Sequence, residues 1–222
     1  MDNRYSVVVP AFNCAPFVGA AIDSLLRQSL QPHRIIVVDD GSTDETARVV
    51  RGFGELAQLV SQDNAGPGAA TTNGMALVDT PFTAFLDADD LWMETKASSQ
   101  LSRLQADASL DGLFAQGAVS RTGRPPFSGL PIQPIWGRSS LMIRTSRTRS
   151  VGRIVDQPGR RGEMIDWIAR AREIGLSLEM MDAVLVVRRV HESSLTHYRG
   201  AKDAGYLAVA KAALDRRRAG AS

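Results

Sequence analysis

Arg34-Ile35-Ile36-Val37-Val38-Asp39-Asp40-Gly41-Ser42-Thr43-Asp44-Glu45 sets a β-branched run directly against a polar turn and the start of a helical pattern. Four large aliphatic residues in succession suit a strand buried on both faces, as in a parallel sheet. Ser42 followed three residues later by Glu45 fits a capping box, so a helix is expected from Thr43 to Phe53. The turn puts Asp39 and Asp40 at a strand's C-terminal end, the edge at which open α/β sheets bind ligands.

The same alternation extends to both sides. Strands are expected over Tyr5 to Pro10, Glu55 to Ser61 and Phe82 to Leu86, and helices over Phe17 to Ser29 and Pro67 to Val78, giving a βαβαβαβ order. Asn13, Asp39, Asp40 and Asp87, all at strand ends, should then converge on one cleft. Beyond Trp92 the pattern predicts a helix over Met93 to Gln105 and a Gly/Pro-rich loop or flap over Gly117 to Pro134, a natural seat for acceptor specificity. A strand at Ser139 to Arg144, a helix at Glu163 to Ile174, a strand at Ala183 to Val190 and an Arg-rich helix at Ala201 to Arg218 follow. No internal repeat is visible.

With 222 residues and 44% hydrophobic content, the chain can bury one sizeable core, so a single α/β domain is expected. Its 26 Lys and Arg against 24 Asp and Glu, a net charge of +2, argue against a nucleic-acid binder. One stretch is locally basic: Arg138, Arg144, Arg147, Arg149, Arg153, Arg160 and Arg161 are opposed by Asp156 alone. It suits either an anionic ligand or membrane surface, or a solvated face. Cys14 is the only cysteine, which excludes an intrachain disulfide and leads to the expectation of a cytoplasmic location. No apolar run approaches the roughly 18 residues of a membrane span, so any membrane contact is expected to be peripheral.

Chemistry concentrates in Phe85-Leu86-Asp87-Ala88-Asp89-Asp90-Leu91-Trp92, where three carboxylates follow a buried strand. Clustered like charges are costly unless a cation compensates them. Hard oxygen ligands suit Mg²⁺ or Mn²⁺, which bind one or two carboxylates together with substrate phosphates. An acidic turn capping the next helix is the plain structural alternative.

Four segments in order, Val9-Pro10-Ala11-Phe12-Asn13, Val38-Asp39-Asp40-Gly41-Ser42, Asn64-Ala65-Gly66-Pro67-Gly68 and Asp87-Ala88-Asp89-Asp90, resemble the nucleotide-binding half of family 2 glycosyltransferases. The resemblance implies a GT-A fold, a Rossmann-like and mostly parallel sheet flanked by helices in one domain. Residues 1–95 would form its nucleotide-binding half, and residues 96–222 its acceptor and catalytic half with a C-terminal helix. It also implies a nucleotide-sugar donor, a UDP-sugar by preference, and inverting transfer to an acceptor that the sequence does not name. Carried over, Pro10, Ala11, Asn13 and Asn64 belong to the donor-binding loops. Asp40, or else Asp39, faces the base; Asp87 sits near ribose and sugar, and Asp89 holds Mn²⁺ or Mg²⁺. One departure stands out, since Thr71 occupies the position of the family's usual arginine.

In the second half, Gly162-Glu163-Met164-Ile165-Asp166-Trp167 resembles the acidic helix that supplies the family's catalytic base, with Met164 where an aspartate is usual. The base is then Glu163 or Asp166, which lie three apart and on nearly the same helix face. Arg188-Arg189-Val190-His191-Glu192-Ser193-Ser194 resembles the family's Arg-x-His element, which implies His191 as a second metal ligand and Arg189 as a diphosphate contact. Trp136 is the aromatic residue expected on the acceptor side, with the other two tryptophans in core or cleft wall. A competing reading, motivated by Thr71 and Met164, is a nucleotide-sugar-binding or partner protein without turnover. Nucleotidyl transfer is a third, disfavoured by the lack of a Gly-rich, Lys-bearing triphosphate loop.

Overall fold

In the computed structural model, which describes residues 2–121, 123–157, 162–191 and 203–219, the expected parallel half is present. Strands β1 (Tyr5–Ala11), β2 (Arg34–Asp39), β3 (Gln58–Ser61) and β4 (Phe82–Phe85) pair in the order β3-β2-β1-β4, every pairing parallel. Helices α1 (Ala15–Leu26), α2 (Thr46–Arg51) and α3 (Pro67–Ala76) form the crossovers. All seven residues of β1 are buried, because helices cover both of its faces. Its side chains divide with period two: Tyr5, Val7 and Val9 join a core with Val18, Ile22 and Leu25 of α1, while Val8 joins a second core with Ala70 of α3.

The second half extends this sheet with a change of direction. Strand β5 (Leu91–Trp92) is followed by α4 (Lys96–Ala106), β6 (Gly112–Ser120), β7 (Ile132–Ile135), β8 (Met142–Arg144), α5 (Thr145–Val151), α6 (Glu163–Glu173), β9 (Leu178–Arg189) and α7 (Asp203–Ala219). β8 joins β4 antiparallel, and the order continues β8-β6-β9-β5, with β7 paired to the body of β6. α6 packs Trp167 and Ile168 into the second core. No helix among the described residues is long and apolar enough to cross a membrane.

Several expectations need correction. The stretch from Gly117 is not all loop, since β6 continues through it to Ser120. A Cβ at Gly117 would lie 2.7 Å from Cγ1 of Ile135, so this glycine permits close cross-strand packing rather than marking a turn. Ser42 does not cap the second helix: α2 starts at Thr46, whose N–H donates to Oδ1 of Asp44 at 2.9 Å, while Oγ of Ser42 accepts from the N–H of Asn13. Residues Gly54–Leu56 form a 3-10 turn ahead of β3, and Arg138–Ser140 form another ahead of β8. α5 was not expected, because its Thr-Ser-Arg-Thr-Arg-Ser-Val sequence lacks an apolar stripe.

The basic stretch is largely absorbed into the fold. Arg144 donates to the carbonyls of Leu104 at 2.6 Å and Leu110 at 2.9 Å, and Arg147 pairs with Asp111 at 2.7 Å. Arg160 and Arg161 lie outside the described residues.

Helix α3 rides close on the sheet at Gly74, where a Cβ would stand 2.3 Å from Cγ1 of Val8 and 3.1 Å from Cγ2 of Val38. Gly74→Ala is expected to lower unfolding free energy by about 1–3 kcal/mol, because the overlap outweighs the helix propensity that alanine gains. Chemical denaturation checks this, and an unchanged or raised midpoint would contradict the close packing.

Candidate active site

The loops following β1, β2 and β4 meet the 3-10 turn at Arg138–Ser140 and the start of α6 around a cleft of about 600 Å³. At one end, Pro10 and Ala11 terminate β1 and line the cleft with Asn13 and Asp40. Asn13 has φ of 47°, a left-handed conformation that asparagine tolerates. Its Oδ1 accepts from the N–H of Thr43 at 2.8 Å, which fastens the β1 loop to the β2 loop.

Asp40 is buried with both oxygens engaged: Oδ1 accepts from Ala65 N at 2.8 Å and Gln62 Nε2 at 2.7 Å, and Oδ2 from Gly66 N at 2.9 Å. The side-chain amide of Asn64 donates to the Asp40 carbonyl at 2.8 Å. Asp39 turns to its own loop, accepting from Ser42 N at 3.2 Å. Of the two aspartates, Asp40 is the one that lines the cleft.

The acidic segment forms the floor. Oδ1 of Asp87 accepts from Nε of Arg138 at 2.7 Å, and Nη1 of Arg138 donates to Oε1 of Glu163 at 3.0 Å. Burial alone would depress the pKa of Arg138, but the charges of Asp87 and Glu163 outweigh it and raise it. The hydroxyl of Ser139 stands 2.6 Å from Oδ2 of Asp90, whose Oδ1 accepts from Arg189 N at 2.9 Å. Burial pushes the Asp90 carboxyl well above the ordinary range, reinforced by Asp89 and Asp87.

Oδ2 of Asp89 lies 3.1 Å from Nε2 of His191, whose ring stacks on Phe17 with centroids 4.1 Å apart. Burial, and then the charge of Asp87, raise the Asp89 pKa. One carboxylate and one imidazole facing each other on the cleft wall, beside further under-compensated acids, fit a small divalent cation that draws its remaining ligands from phosphate and water. Among the described residues no three His, Cys, Asp or Glu side chains group as a ligand set.

Arg189 lines the cleft but directs its guanidinium at main-chain carbonyls, including Phe17 at 3.1 Å and Asp89. Burial lowers its pKa. Glu192, Ser193 and Ser194 of the same motif lie outside the described residues. Trp136, 42% exposed, stands at the cleft mouth, whereas Trp92 and Trp167 are buried.

The structure separates the two candidate bases. Glu163 lines the cleft; its Oε1 is held by Arg138, and its Oε2 has no hydrogen-bond partner among the described residues. Asp166 points away, its oxygens held by Arg170 Nε at 2.9 Å and Arg216 Nη1 of α7 at 3.0 Å. Three residues leave a net offset of about 60° around a helix and about 4.5 Å along it, and Asp166 there meets Arg216 of α7. Arg138 and Ser139 escaped the motif reading; membership of the basic stretch was the sole signal for the first.

The sequence profile described as Glycosyl transferase family 2 matches residues 6–149. Glycosyltransferase GlyA of Streptococcus pneumoniae is 32% identical over 97 residues, 42% of this chain and 14% of that protein. WfaP of Escherichia coli, a UDP-Glc:alpha-D-GlcNAc-diphosphoundecaprenol beta-1,3-glucosyltransferase, is 32% identical over 104 residues, 46% of this chain and 41% of that one. The chain thus spans less than half the length of either relative. Among solved structures, S. aureus TarS 1-349 in complex with UDP-GlcNAc superposes with a TM-score of 0.74 at 18% identity, over 95% of this chain and 65% of the other. Mannosyltransferase PcManGT from Pyrobaculum calidifontis, in complex with GDP-Man and Mn2+, gives 0.69 at 19% identity, over 86% and 58%. The shared architecture is the GT-A fold.

Asp166 carries a structural prediction. Its side chain is 5% exposed, pairs with Arg170 on its own helix and joins α6 to α7 through Arg216. Asp166→Ala is expected to lower unfolding free energy by about 3 kcal/mol, the low end for removing one partner of a buried pair because Arg216 is partly exposed. Denaturant titration is the check, and a loss under about 0.5 kcal/mol, the range of ordinary surface substitutions, would contradict this role.

Proposed function

The chain belongs to glycosyl transferase family 2, and from that premise we propose that it moves a sugar from a nucleoside diphosphate donor, a UDP-sugar by preference, onto an acceptor hydroxyl with inversion. The observation carrying this reading is Glu163: one oxygen is anchored by Arg138, the other has no hydrogen-bond partner among the described residues, and the residue lines the cleft that also holds the acidic segment.

The base and ribose of the donor would occupy the end lined by Pro10, Ala11, Asn13 and Asp40, where the loops are already fixed to one another. Asp87, joined to Glu163 through Arg138, would face the sugar of the donor. Asp89 and His191 would hold Mn²⁺ or Mg²⁺, whose charge offsets the charge that the departing diphosphate acquires. The acceptor oxygen attacks the anomeric carbon on the face opposite the diphosphate. As that C–O bond forms, the bond to the phosphate oxygen breaks, its electron pair leaves with the nucleoside diphosphate, and the hydroxyl proton passes to Oε2 of Glu163. Trp136, at the cleft mouth, supplies an aromatic face for the acceptor. Arg189 acts indirectly, by fixing the backbone around Asp89.

Calorimetric titration with UDP, with and without Mn²⁺, tests the donor site. Binding strengthened by Mn²⁺ in the wild type and insensitive to it in Asp89→Ala and His191→Ala is the expected result. Glu163→Gln should lower transfer about 10²–10⁴-fold, the usual range for a lost general base, while leaving UDP affinity unchanged. A wild-type protein that binds none of UDP, GDP and dTDP would overturn the transferase reading. Nucleotide binding without turnover of any donor would favour a binding protein.

A further inference from the structure

We propose that Arg138 is the positioning residue of this site, acting through Glu163 and Asp87 to fix the separation between base and donor. The inference rests on the reading of Glu163 as base. No motif of the sequence assigns Arg138 a part, and its side chain is 8% exposed beside a 10% exposed Glu163.

Two observations carry it. The guanidinium joins the two functional ends of the cleft directly, at 2.7 Å to Asp87 and 3.0 Å to Glu163. A planar fork of donors fixes both distance and angle, which a point charge does not. The turn that carries Arg138 is itself held rigidly from beneath: Trp92 Nε1 donates to the carbonyl of Ser139 at 2.8 Å, and Gln100 Nε2 to that of Ser140 at 2.8 Å. Gln100 in turn accepts from the buried ammonium of Lys96 at 2.6 Å.

The consequence falls on Glu163. It is the first residue of α6, and its flexible side chain has no other hydrogen-bond partner among the described residues. Nη1 of Arg138 engages Oε1 and leaves Oε2 as the oxygen that meets an acceptor hydroxyl. A misplacement of the base by about 1 Å is enough to lower turnover on the order of 100-fold.

The test compares Arg138→Met, Arg138→Ala and Arg138→Lys with wild type in two assays: UDP binding by calorimetry, and turnover of a panel of UDP-, GDP- and dTDP-sugars followed by nucleotide release. Arg138→Met should lower kcat about 100-fold with UDP affinity within about threefold. Arg138→Lys, which keeps the charge and loses the fork, should fall between the two. Millimolar guanidinium should restore part of the kcat of Arg138→Ala and none to Arg138→Met, whose side chain fills the space. Unchanged kcat, or UDP affinity falling in parallel with turnover, would overturn the proposal while leaving the transferase reading intact. Loss of cooperative unfolding in all three variants, without rescue, would reduce Arg138 to a structural bridge. A wild type that neither binds nor turns over any nucleotide overturns the underlying reading, and with it this inference.

Discussion

A buried guanidinium between two carboxylates holds the halves of this molecule in register. Asp87 follows β4, the last strand of the parallel half, and Glu163 opens α6 of the other; Arg138 stands on the turn that leads into β8, the strand which reverses direction against β4. Arg138 or Glu163 left unpaired at such burial would cost several kcal/mol, so each constrains where the other can lie. The site is therefore assembled at the seam of the sheet.

Around the seam, acidic and amide side chains do the work of loop closure by accepting main-chain N–H groups. Asp39 takes Ser42, Asp40 takes Ala65 and Gly66, Asn13 takes Thr43, Asp44 takes Ala15 and Thr46, and Asp156 takes Gly68 and Ala69 at the start of α3. Charge-assisted bonds of this kind are stronger than neutral ones and rigidify the strand ends before any ligand arrives.

The parallel half was legible because β1 and β2 carry long β-branched runs and the segments after β1, β2 and β3 read as helices. The four motif segments fall at the ends of β1, β2, β3 and β4, so their convergence follows from topology. The second half was less legible for physical reasons. Gly112 and Gly117 interrupt the apolar signal of β6, although both pack closely, against Leu178 and Ile143 for the first and Ile135 for the second. Glu163 and Asp166 looked equivalent because their spacing fixes only an angle on α6; packing against α7, far along the chain, decides which of them meets the cleft. Ser42 matched a capping box in composition, yet Asp44 outcompeted it with a carboxylate that reaches both Thr46 and Ala15.

The departure at Thr71 has a physical answer in the same frame. Thr71 is fully buried, and its hydroxyl donates to the carbonyl of Pro67 at 2.6 Å, so this position serves the interior of α3 rather than the cleft. The cations that line the cleft come instead from the second half, as Arg138, Arg188 and Arg189. Against them stand the carboxylates of Asp40, Asp87, Asp89, Asp90 and Glu163, and the raised pKa values of Asp89 and Asp90 record how strongly burial and mutual repulsion strain that excess. A diphosphate carries its own negative charge and would meet net repulsion here. Under the proposed reading, donor affinity therefore depends on a divalent cation as a matter of charge balance, with Asp89 and His191 as the two groups already turned toward each other to receive it.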